Sequence, residues 1–172
     1  MSKVRCSKCG KEHDLDHIEP SFKRPDAYLT VPTAERERRI SEGDDACMIT
    51  SPDGKHLACF IRAVLYVPIL GEGTTIGWGL WVEVNHETYW RIGSIWDDPN
   101  QNAEPPFLCA LANDIPNYPR TVGLPGLIQL SGLRLRPVLT LAVDSEHPFA
   151  AEARKGVHFE RALEWRSWSV HR

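Results

Sequence analysis

The sequence predicts an α+β fold with a mainly antiparallel sheet, peripheral helices and an N-terminal arm that resembles a zinc knuckle. Three observations carry this. Residues 76–84 alternate, with Ile76, Trp78, Leu80, Val82 and Val84 on one face and Gly77, Gly79, Trp81 and Glu83 on the other, which is the period of a sheet strand. Two apolar runs, 46–50 and 57–67, flank Ser51-Pro52-Asp53-Gly54-Lys55, a turn in which proline fixes φ and glycine accepts positive φ. Stretches with helix start and stop signals lie to either side of this strand-rich middle.

In chain order, residues 1–32 are polar, carry Pro20, Pro25 and Pro32, and read as a metal-bearing arm laid over a core of residues 33–172, the whole being one domain. Residues 33–43 read as a short charged helix, with Thr33 as its cap, Glu35 in its first turn and Gly43 as its stop. Strand 46–50 then forms an antiparallel hairpin with strand 57–67, which is apolar except for Arg62 and so is expected to be covered on both faces. In the alternating strand 76–84, Gly77 and Gly79 strip side chains from one face, so that another element or a ligand can approach closely.

Asn85 caps a helix over 86–96 with Tyr89, Ile92 and Trp96 as its buried stripe. A polar loop follows at 97–106, and 107–125 reads as irregular, punctuated by Pro116, Pro119, Gly123 and Pro125. Two further strands are expected at 127–130 and 133–143, the second turning Leu133, Leu135, Leu139, Leu141 and Val143 inward. His147-Pro148 opens a helix stopped by Gly156, and a last helix covers 158–169 with Phe159, Leu163, Trp165 and Trp168.

The 172 residues carry 23 acids against 20 bases, a net charge of -3, which argues against a broad electrostatic surface for nucleic acid. No apolar run is long enough to span a membrane, and Met-Ser-Lys-Val-Arg-Cys has no apolar core of a signal peptide. Five cysteines, an odd number, suit a reducing cytoplasmic setting with one metal better than a disulfide framework.

Cys6-Ser7-Lys8-Cys9-Gly10 carries the chemistry. Two thiolates three positions apart on a glycine-eased turn can grip one tetrahedral ion, most often zinc. His13 and His17 follow as further donors, and a distant ligand could come from Cys47 or Cys59, although cysteines in apolar strands commonly serve as small buried hydrophobes. Cys109 reads as core. The motif lacks the preceding strand and following helix of a thioredoxin-like redox site.

Taken together, Cys6-Ser7-Lys8-Cys9-Gly10-Lys11-Glu12-His13, the strand bearing Cys47, Phe60-Ile61-Arg62 leading to Val67-Pro68-Ile69, Gly77-Trp78-Gly79-Leu80-Trp81-Val82, Tyr118-Pro119-Arg120-Thr121, Arg136-Pro137, His147-Pro148 and Gly156 before Arg161 resemble a bacterial family known as domain of unknown function 2199. The resemblance implies a small bacterial cytoplasmic protein and brings no activity with it. It also implies Cys6, Cys9, His13 and Cys47 as the ligand set, a closed structural Cys₃His zinc site.

Function is open among three classes. The first is a non-enzymatic binding or interaction protein with a structural zinc, its six tryptophans and acidic 97–104 loop facing a protein partner, although such aromatics equally fill small cores. The second is an enzyme with a polar site near Arg62 and His147, with His86, Asp97, Asp98 and Glu152 as further acid–base candidates. Arg62 needs a carboxylate or an anion, and adjacent Asp97-Asp98 can hold a cation or simply make a turn. The third is a nucleic-acid binder using Lys3, Arg5, Lys8 and Lys11, which Glu12, Asp14, Asp16 and Glu19 oppose.

Overall fold

The computed structural model describes residues 3–5, 12–14 and 18–169. Its spine is the hairpin of β5 (Leu57–Ile69) and β6 (Thr74–Val84), antiparallel from Cys59↔Val84 to Ile69↔Thr74. β5 is the longer strand and its free edge serves two partners. Its first half pairs with β4 (Ala46–Thr50), in register Ala46↔Ile61 to Thr50↔Leu57. Further along, the N–H of Val64 donates to the carbonyl of Pro137, and Val64 pairs in parallel with Val138 of β9 (Val138–Leu141).

That parallel pairing closes a five-stranded barrel, because β6 also pairs with β7 (Phe107–Leu111), β7 with β8 (Pro125–Gln129) and β8 with β9, all antiparallel. β4 diverges from the barrel and carries β3 (Ile40–Glu42) as the outer strand. A separate antiparallel pair joins β1 (Lys3–Arg5) to β2 (Glu12–Asp14).

Helices cover the sheet from outside. α1 (Asp26–Thr30) and α2 (Thr33–Arg39) precede β3; α3 (His86–Ser94) follows β6; α4 (Pro148–Lys155) and α5 (Phe159–Ser169) close the chain. Asn85 caps α3 through its side-chain oxygen, which accepts from the N–H of Thr88 at 2.7 Å. α4 starts on Pro148 and stops at Gly156, whose φ of 87° is open to glycine. The aromatic core joins these layers: Trp78 of β6 meets Trp165 and Phe149 at centroid distances of 5.3 and 5.7 Å, both edge-on.

The two glycines of β6 admit the arm. Residues 20–22 run beside Gly79, which donates to the carbonyl of Pro20 and accepts from the N–H of Phe22, each at 2.9 Å, in a parallel bridge with Ser21. Glu19 accepts from the N–H of Gly77 at 3.1 Å. The arm is fixed again by Asn113, fully buried, which accepts from the N–H of Trp81 and donates to the carbonyl of Arg24 and the carboxylate of Asp26.

Four expectations need correction. The helix from Thr33 ends at Arg39, because residues 40–42 are drawn into the sheet by pairing with Cys47–Ile49. The helix after Asn85 ends at Ser94 rather than at residue 96. Residues 107–111 are a strand and not irregular, their register supplied by β6 and β8. The strand expected over 133–143 is confined to Val138–Leu141: Gly132 and Arg134 have positive φ, Leu135 closes a turn on Gly132, and Leu133, Leu135 and Val143 are exposed.

A Cβ at position 79 would lie 2.9 Å from the Cβ of Ser21, on a backbone held by two hydrogen bonds, whereas one at position 77 would meet only the carboxylate end of Glu19. Gly79→Ala is therefore expected to cost about 1–3 kcal/mol in urea denaturation and to speed proteolysis within residues 18–25, while Gly77→Ala costs less. Equal effects of the two substitutions would contradict this docking of the arm.

Candidate functional site

The cysteine motif sits between two paired strands: residues 6–11 join β1 to β2, whose register sets Val4 opposite His13. Cys6, Cys9 and His17 and the side chain of His13 lie outside the described residues. Cys47, the distant member of the proposed ligand set, is a free thiol with 1% of its surface exposed. Burial first, and then the charge of Glu42, pushes its pKa up to about 11.

Register decides which way each strand cysteine faces, because directly paired residues share a face. Cys47 pairs with Glu42 and Phe60, and Glu42 receives two hydrogen bonds from Arg24, at 2.8 and 3.0 Å, and one from the hydroxyl of Tyr28. Cys47 therefore faces the arm. Cys59 pairs with Met48 and Val84 on the opposite face. Cys109 is partly buried, and burial raises its pKa to about 12. Among the described residues, no group of three or more His, Cys, Asp and Glu side chains is placed to hold a metal ion. Also among them, no helix is long and apolar enough to cross a membrane.

Arg62 and His147 have separate surroundings. Arg62 lies at the fork where β4 and β9 leave β5: its N–H donates to the carbonyl of Asp45 at 2.9 Å, and Arg136 bridges to Asp45 at 2.6 Å. Burial, then the like charge of Arg136, lowers the Arg62 pKa from its ordinary value, and its buried Nε has no partner. His147 instead caps α4. Its Nδ1 accepts from the N–H of Phe149 at 3.1 Å, which leaves the proton on Nε2, donated to the carbonyl of Pro119 at 3.2 Å.

Beside His147 lies a polar network centred on Tyr118. Its hydroxyl donates to Glu152 and accepts from Arg161 at 2.8 Å and from the indole of Trp165 at 3.2 Å. Arg161 also bridges to Glu152 at 3.2 Å and Glu164 at 2.5 Å. Burial and the Glu152 bond push the Tyr118 phenol above its ordinary pKa. The one donor and two acceptor positions of this hydroxyl are all used, so the network ties α4, α5 and the 116–121 loop together.

A different arrangement lies between α3 and the β3–β4 turn. A groove of about 580 Å³ is lined by Gly43, Asp44, Asp45 and Ala46 on one side and by Tyr89, Trp90, Ile92, Gly93, Trp96 and Asp97 on the other, with Ile61 between. Trp90 is 54% exposed, yet its indole N–H is fixed on Nε2 of His86 at 2.7 Å and its ring stands edge-on to Tyr89. Asp45 is held by Arg136, whereas Asp44 and Asp97 are exposed and have no hydrogen bond or ion pair among the described residues. Sequence reasoning singled out Tyr89, Trp96 and Asp97 but missed Asp44 and Trp90. The Asp44-Asp45 pair before a strand beginning Ala46-Cys47 was the available signal for the turn.

The arrangement defines a mixed α+β protein with a closed barrel and a solvent-facing aromatic and acidic groove. The chain belongs to the family described as an uncharacterised protein conserved in bacteria, domain of unknown function 2199, whose pattern matches residues 5–157. No curated protein and no solved structure matches it.

Removing the Tyr118 hydroxyl strips Glu152, Arg161 and Trp165 of a shared partner. Tyr118→Phe is expected to lower stability by about 1–3 kcal/mol in chemical denaturation, since the buried Trp165 indole N–H is left without its partner while Glu152 and Arg161 each lose a bond. A loss below ~0.5 kcal/mol would show that the network does not hold these helices.

Proposed function

We propose that this is a non-catalytic binding protein whose ligand site is the groove between α3 and the β3–β4 turn, with a structural zinc at Cys6, Cys9, His13 and Cys47 fastening the arm to the sheet. The observation that carries the binding reading is the combination, in one groove, of the exposed Trp90 ring, the half-buried Tyr89 and Trp96, and two carboxylates, Asp44 and Asp97, that make no hydrogen bond or ion pair among the described residues. Binding sites differ from cores in this way: their polar groups are left for something else to satisfy. The Tyr118 network, by contrast, spends its hydrogen-bonding capacity within the protein.

The zinc reading is supported by the cysteine pair between β1 and β2 and by Cys47 facing the arm, while Cys59 faces away. A zinc there would take the place of the Cys47 thiol proton and link the arm to the β4–β5 hairpin, a closed site that contributes folding free energy.

Two measurements test these readings. Purified protein is expected to carry about one zinc per chain, lost in Cys6→Ser, Cys9→Ser, His13→Ala and Cys47→Ser but kept in Cys59→Ser. Full zinc content in the Cys47 variant would contradict the ligand set. For the groove, a thermal-shift panel of small cations, anions and neutral organic molecules is expected to contain at least one class that stabilises the wild type and not Trp90→Ala. No class doing so would contradict the binding reading.

A further inference from the structure

This inference rests on the binding reading of the groove and specifies what the groove holds. We propose that it binds an alkylammonium cation, with the charge against Asp44 and Asp97 and the attached carbons against the rings of Tyr89, Trp90 and Trp96.

The chemistry of the lining selects the ligand. Ile61, Ile92 and Ala46 make part of the groove apolar, so the occupant has a hydrocarbon portion. Tyr89, Trp90 and Trp96 line the groove, and an aromatic face is worth about 0.5–2 kcal/mol to a cation that settles over it. Asp44 and Asp97 disfavour an anion by charge. They disfavour a purely neutral occupant as well, because covering an ionised carboxylate without a partner is costly.

Among the described residues, no basic side chain hydrogen-bonds or ion-pairs with either of them; Arg62 of β5 attracts Asp44 by its charge without a hydrogen bond between the two. Arg91 of α3 is turned to Glu104, Arg136 is held by Asp45, and the Nε2 of His86 accepts from the indole N–H of Trp90. The cavity, at about 580 Å³, is within the size range of small-molecule sites.

The His86–Trp90 bond and the edge-on contact with Tyr89 also matter. They hold an exposed indole in one orientation before any ligand arrives, which lowers the ordering cost of binding. Two sources share this chemistry, a free amine and the side chain of a lysine in a peptide, and the probes below separate them.

The test is a titration of the ¹⁵N-labelled full chain, followed by chemical shift, with tetramethylammonium, n-butylammonium, Nα-acetyl-lysine N-methylamide, neopentyl alcohol and acetate. The expected result is saturable shifts in residues 43–46 and 89–97 with the ammonium probes alone. Affinity should fall roughly fivefold or more in Trp90→Ala and in Asp97→Asn, the loss of about 1 kcal/mol apiece, and should weaken as salt rises. Tighter binding of the capped lysine than of butylammonium identifies a peptide lysine as the source; the reverse order identifies a free amine. Neopentyl alcohol binding as tightly as tetramethylammonium, or unchanged affinity in a folded Asp97→Asn, overturns the proposal while leaving a binding groove in place. No probe of any charge shifting these residues overturns both readings.

Discussion

The structure depends on how the backbone of β5 is shared. One edge of β5 is occupied by β6 along nearly its whole length. The other edge is passed from one strand to another within two residues: the N–H of Arg62 goes to Asp45, and the N–H of Val64 to Pro137. Up to that point β5 belongs to an open sheet with β4 and β3; beyond it, to a closed barrel with β9. Arg136 and Asp45, bridged at 2.6 Å, clasp the two departing strands at the fork. Because buried backbone groups need partners, a strand this long keeps both ends satisfied only by such a handover. The groove is its by-product, since β4 and the turn before it diverge from the barrel and α3 packs beside them.

The arm solves a matching problem on β6. β7 pairs with β6 only near Val82 and Glu83, and the earlier part of that edge is taken by residues 20–22. Gly79 makes the close approach sterically feasible, and buried Asn113 secures it with bonds to both β6 and the arm. Cys47, on the face toward the arm, lies beside the same attachment through Glu42, Arg24 and Tyr28. The proposed zinc would therefore strengthen an attachment that the backbone already makes.

Much of this was legible in the sequence, and the failures have local causes. The alternation of 76–84, the Asp53-Gly54 turn, the Asn85 cap and the boundaries at Pro148 and Gly156 are local signals, and each describes its element well. The glycines of β6 were readable as a place of close approach, which the arm fills. β3 and β7 were missed because their strand character comes from partners distant in sequence; Phe107-Leu108-Cys109-Ala110-Leu111 shows little alternation. The inward face assigned to 133–143 failed because positive φ at Gly132 and Arg134 turns the chain before the strand begins. Of the groove, Asp97 and the α3 aromatics were visible as residue types. Their meeting with Asp44 was not, since it is created by the fork in β5 some distance away in the chain.

The proposed ligand site is the groove, and the fork in β5 is the reason it exists. A cation held as proposed lays its carbon atoms against Tyr89 and Trp90 of α3 and against Trp96 just beyond its end. Intermolecular nuclear Overhauser effects between the methyl protons of tetramethylammonium and the ring protons of Tyr89, Trp90 and Trp96 measure this directly. Such effects to these three rings are expected at saturation. Effects confined to other aromatic residues, or none at saturating concentration, would contradict that placement.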